Sequence, residues 1–132
     1  MTILREGLAL LLLAHGVAHL PGFLAAWRLV EIPQLPHTTT VFGGMLDIGH
    51  VGIRAVGILW LMVGAASVTA ASAVLLRSGW APAFVSIVLA LSTVLCIAGW
   101  PAARLGLLAN VVIAGLALLV FRLGVFGTGL AS

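Results

Sequence analysis

Four stretches of this chain, roughly residues 8–29, 52–76, 81–100 and 105–123, run almost without charge for the length needed to cross a bilayer core. That feature restricts the fold more than any other. Continuous apolar runs do not alternate as barrel strands must, and the connections after the second and third runs are short. The expected architecture is therefore an all-α integral membrane protein, an antiparallel four-transmembrane-helix bundle forming one domain over residues 1–132. Composition agrees, with 63% hydrophobic and 7% charged residues and a mean hydropathy of +1.31.

The pI of about 11.3 comes from six arginines dispersed singly against three acids, so no basic patch exists to hold nucleic acid. The absence of Lys excludes Schiff-base chemistry, and a single Cys96 excludes an intrachain dithiol relay. Trp27, Trp80 and Trp100 fall at span ends beside Arg28, Arg77 and Arg104, as interfacial anchors do. Arg5 precedes an apolar run as in a signal peptide. No small-residue cleavage site follows, however, and His15 and His19 interrupt the run, so the first helix is expected to be retained. The arginine count is balanced between the two sides, with a slight preference for an internal N-terminus.

Residues 30–44, "VEIPQLPHTTTVFGG", are too polar to span and are expected to cap the bundle at the interface. The last residues, "GVFGTGLAS", are expected to be a frayed tail.

Ionisable groups inside a span are costly, so each one requires a reason. His15 and His19 are four apart and share a helix face; Asp47, His50 and Arg54 form a second stripe at the start of the next helix. Counting from the span ends places both sets, with Ser92, Thr93, Cys96 and Asn110, in the same half of the bundle. The other half holds only Ser67, Thr69, Ser72 and Ser86, hydroxyls that can bond back to their own helix. Pro21 removes a donor and frees the Val17 carbonyl, so the first helix should kink beside its histidines. Glycines 43, 44, 49, 52 and 57 around Asp47 and His50 permit a broken or closely approached helix.

The pattern predicts a one-sided pocket in which His15, His19, His50, Arg54 and Asn110 bind a cofactor. Candidates are haem, a quinone head group, or a transition metal (zinc, copper or iron) ligated by His15, His19, Asp47 and His50. Two other readings stay open. One is a proton-coupled carrier of a small solute, which with four spans would work as a dimer. The other is a non-catalytic accessory subunit that meets a partner helix, or a second copy, through Gly64, Ala65, Ala66, Ala70 and Ala71.

The stretch "LLLAHGVAHLPGF", Leu11 to Phe23, together with the four-span plan, resembles the DoxX-like small membrane proteins of bacteria, whose first helix commonly carries the His-Gly step matched by His15-Gly16. His19 stands where many members have Lys. The resemblance implies a bacterial plasma-membrane protein associated with quinone or thiol redox complexes.

Overall fold

The computed structural model describes residues 2–129, with side chains as far as Gly124. Its elements in chain order are α1 (Thr2–Ala18), α2 (Leu20–Ala26), β1 (Thr40–Val41), β2 (Leu46–Asp47), α3 (Gly49–Leu75), α4 (Ala81–Ala98) and α5 (Arg104–Gly129). Four helical segments are long and apolar enough to cross a membrane: Thr2–Ala26, Gly49–Leu75, Ala81–Ala98 and Arg104–Gly124. The expected frayed tail is helical as far as Gly129, and residues 130–132 lie outside the described part.

The first segment is two helices because of Pro21. With no amide proton, Pro21 cannot bond the carbonyl of Val17, and the chain loses helical pairing one residue earlier. His19 N–H instead reaches Gly16 O at 3.2 Å, a tighter turn at the junction. The expected kink is therefore present, and it falls on a histidine.

Helix ends are closed by local chemistry. After α2, Arg28 adopts φ 54°, with Leu29 N–H bonding Leu24 O at 2.9 Å and Arg28 N–H bonding Ala25 O at 3.2 Å. After α3, Arg77 at φ 55° repeats this arrangement, through Ser78 N–H to Ala73 O at 3.0 Å and Arg77 N–H to Val74 O at 3.3 Å. Both are Schellman closures with arginine where glycine is usual, at a backbone cost of about 1–2 kcal/mol.

Long helices pack in a ring, α1 on α3 and α5, α3 on α4, and α4 on α5. The α1–α3 crossing is backbone to backbone: a Cβ on Gly16 would stand 2.7 Å from Gly64 O, and one on Gly64 would stand 2.9 Å from Gly16 O. Gly64, Ala70 and Ala71 are buried inside the chain's own bundle. The small-residue surface expected to meet a partner helix is thus largely used internally, which leaves Ala65 exposed and Ala66 half-buried.

The core at one end is apolar, built on Leu8, Leu12, Ala70, Val74, Val85 and Ile113. At the other end the loop over residues 30–44 is tied down. His37 Nδ1 donates to Ala25 O at 3.0 Å, Phe42 N–H to Ala98 O at 2.8 Å, and Ile48 N–H to Thr39 O at 3.0 Å. Strands β1 and β2 pair antiparallel inside this cap. Gly43 and Gly44, at φ 66° and 89°, make the turn between them, so these glycines serve the cap and not a broken helix.

Candidate functional site

Each buried helix stripe changes character along its length. Along α1 and the turn after it the stripe runs Leu8, Leu12, His15, His19; on α4 it runs Val85, Val88, Ser92, Cys96; on α5 it runs Val120, Ala117, Ile113, Asn110. Steps of three and four keep each set on one face, so the apolar core leads directly into the polar site.

His15 and His19 are 5% and 2% exposed, and their rings meet edge to face at 4.6 Å between centroids. Ser92, fully buried on α4, lies 3.0 Å from Nε2 of both. Protons in the neutral site can be assigned by elimination. A backbone carbonyl only accepts, so His19 must donate its Nδ1 proton to His15 O, at 2.7 Å. His19 Nε2 is then a lone pair to which Ser92 O–H donates, and Ser92 Oγ accepts from His15 Nε2–H. One hydroxyl thus satisfies two buried imidazoles, each of which would be expensive to leave unpaired. The second nitrogen of His15, Nδ1, remains an acceptor.

Trp60 on α3 packs on His19 at 5.2 Å between ring centroids. Gly22 and Gly99 admit it, since a Cβ on either would stand 2.6 Å or 3.3 Å from the indole. Asn110 reaches from α5 to α4, where Nδ2 donates to Thr93 Oγ1 at 3.1 Å. Its bond across helices was expected.

A cavity of about 1080 Å³ opens beside this group. Its walls include His15, His19, Trp60, Cys96 and Arg104, and the loop supplies Ile32, Leu35, His37 and Val41 as a further wall. Cys96, 1% exposed, is a buried thiol beside Ser92.

The other expected site residues lie elsewhere. His50 stacks on His37 of the loop, with centroids 5.9 Å apart and planes 3° from parallel. Asp47 is exposed and accepts Gly49 N–H at 2.9 Å, which holds its carboxyl below the usual carboxylate range. Arg54 lies 5.4 Å over the Trp27 ring, whose Nε1 donates to Arg54 O at 3.1 Å. The reason is where α3 begins. A start at Gly49 puts His50 and Arg54 in the first two turns, level with the cap, while Trp60 is the α3 side chain that reaches the buried histidines. Among the described residues no three His, Cys, Asp or Glu side chains converge as a metal site would require, so His15, His19, Asp47 and His50 do not form one ligand set.

Ser92 as a bridge, Trp60 as a wall and His37 as a cavity residue were not assigned these roles from the sequence. Two had a signal: Ser92 sits in the α4 buried stripe, and Trp60 is a tryptophan in mid-span, away from the interface positions of the other three. His37 had none. Compared with protein-family models, curated proteins and solved structures, the chain finds no match.

Proposed function

We propose that this chain crosses the membrane four times, its helices antiparallel, and binds a small lipid-soluble ring compound of the quinone class by its head group at His15, Ser92 and His19. The observation that carries this reading is a pair of buried imidazoles, joined through one hydroxyl, on the wall of a largely apolar cavity of about 1080 Å³. A ring oxygen in a water-poor site needs a hydrogen-bond partner, and its ring needs a flat apolar wall. His15 Nδ1 accepts from the hydroxyl of the reduced ring, and Trp60 is the wall.

The nitrogens favour an organic ligand over a metal or haem. Both Nε2 atoms are engaged by Ser92 and His19 Nδ1 by a carbonyl, which leaves one free imidazole lone pair between the two residues. Together with the His15-Gly16 step and its DoxX-like resemblance, this supports a role beside redox enzymes of a bacterial inner membrane. With the arginines balanced, the acids Glu31 and Asp47 on the loop side favour an internal N-terminus and a loop-covered cavity outside.

The test uses full-length protein in lipid nanodiscs, kept free of oxygen, titrated with decyl-ubiquinol and followed by calorimetry. Saturable binding is expected, with His19→Ala weakening it at least about tenfold while circular dichroism stays helical. No saturable binding, or equal binding by folded His19→Ala and Ser92→Ala, overturns the reading.

A further inference from the structure

His37 is the loop residue with an unanswered nitrogen. Its Nδ1 is 3.0 Å from Ala25 O, and a carbonyl only accepts, so in the neutral ring Nδ1 carries the proton and Nε2 is a lone pair. That Nε2 is buried and has no hydrogen-bond partner among the described residues. His50 does not supply one. It stacks on His37 with planes 3° from parallel and centroids 5.9 Å apart, which turns ring faces toward each other and not an N–H toward the lone pair. A buried acceptor costs free energy until a donor reaches it, so this nitrogen calls for a donor from outside the chain.

The same ring lines the large cavity. His37 and His15 are both on the wall of this space of about 1080 Å³, His37 from the loop and His15 from α1. The Ala25 carbonyl that holds His37 lies ten residues beyond His15, about 15 Å along a straight helix and less across the break at His19. A ring with hydroxyls on opposite carbons spans about 11 Å between the atoms that accept from them, counting two hydrogen bonds of about 2.7 Å and the ring itself. One cavity thus has an open imidazole acceptor on α1 and another on the loop, at a separation such a ring bridges. Ile53, Val56 and Trp60 of α3 line the same space and give the ring an apolar side.

We propose that His37 is the second head-group contact. The ligand is a ring with two hydroxyls para to one another, one donating to His15 Nδ1 and the other to His37 Nε2. This rests on the head-group reading above and specifies it: a ring with a single hydroxyl satisfies only half of the site. It also gives the loop a task beyond covering the cavity. Because His37 is tied to Ala25 O, the bound ring joins the loop to α1 and α2.

Full-length protein in nanodiscs, kept free of oxygen at about pH 8 where an ordinary imidazole is neutral, is titrated with decyl-ubiquinol and with each of its two monomethyl ethers. Each ether keeps one O–H and lacks the other. The quinol is expected to bind about tenfold tighter than either ether. His37→Asn separates contact from scaffold, because its amide N–H can keep the bond to Ala25 O while nothing replaces Nε2. In that variant the quinol-to-ether ratio is expected to fall to about one. Equal affinity of quinol and ethers for the unchanged protein, or a ratio that survives His37→Asn, overturns the His37 assignment and leaves the head-group reading intact. Should neither the quinol nor the ethers bind, both proposals fall together.

Discussion

The two ends of the bundle use the same helix faces for opposite purposes. Around Leu8, Leu12, Val74, Val85 and Ile113 the inward positions are apolar and interdigitate without hydrogen bonds to arrange. Around His15, His19, Ser92 and Asn110 the same positions, one or two turns along, carry groups that must be paired atom by atom. Burial is as complete at one end as at the other: Leu12 and Ser92 are both 0% exposed. What differs is tolerance, since an apolar face accepts any good fit, while a hydrogen-bonded group accepts only the partner with the right proton.

Leu12→Ala should have the largest effect on stability and the smallest on the site. It removes a fully buried side chain from the apolar end at about 2–5 kcal/mol, seen as a lowered unfolding midpoint in micelles, with decyl-ubiquinol affinity of the folded fraction unchanged. A matching loss of affinity would mean that the two ends are not separable.

Ser92→Ala comes next in stability, and first for binding. It leaves His19 Nε2 without a donor and His15 Nε2–H without an acceptor, at about 1–3 kcal/mol by the same unfolding measurement, and should abolish ligand binding. Ser67→Ala sharpens the contrast. Ser67 is equally buried, yet its hydroxyl only bonds Val63 O of its own helix at 2.9 Å, so the change should stay within about 0.5 kcal/mol.

Asp47 should matter least, and its effect should be confined to the cap. Its carboxyl is held below the usual range chiefly by Gly49 N–H, with the Thr39 side chain adding to this. A lowered folded value means that the stabilisation is whole above the ordinary carboxylate range and is lost as pH falls through the lowered value. The Gly49 amide shift in nuclear magnetic resonance should therefore titrate below about pH 3.9, and Asp47→Asn should remove the transition.

Much of this was legible from the chain. The four apolar runs located the four long helices, closely for α3 and α4 but short of the Thr2 start of α1 and the Gly129 end of α5; Pro21 gave the break beside the histidines, and the serine and threonine positions their bonds to carbonyls four residues back, as at Thr69, Ser72 and Ser86. Asn110 was expected to bond across helices and does. His50, Asp47 and Arg54 were grouped with His15 and His19 because a spacing of three or four defines a face on one helix. That spacing does not say which neighbour the face meets, or at what height. Height depended on the start of α3, which the Asp47 and Gly49 turn sets.

Taken alone, the sequence determined that four long apolar helices would form and that a handful of ionisable groups within them would need partners. Both follow from local chemistry: hydrocarbon-rich runs satisfy their polar backbone internally, and polar side chains among them are costly when unpaired. Only the tertiary structure decided which polar groups meet. The Gly16–Gly64 crossing sets α1 against α3, and the ring of helices then presents Ser92 to both histidines and Asn110 to Thr93. Partner choice is a matter of distances between helices, and no spacing along a single helix encodes it.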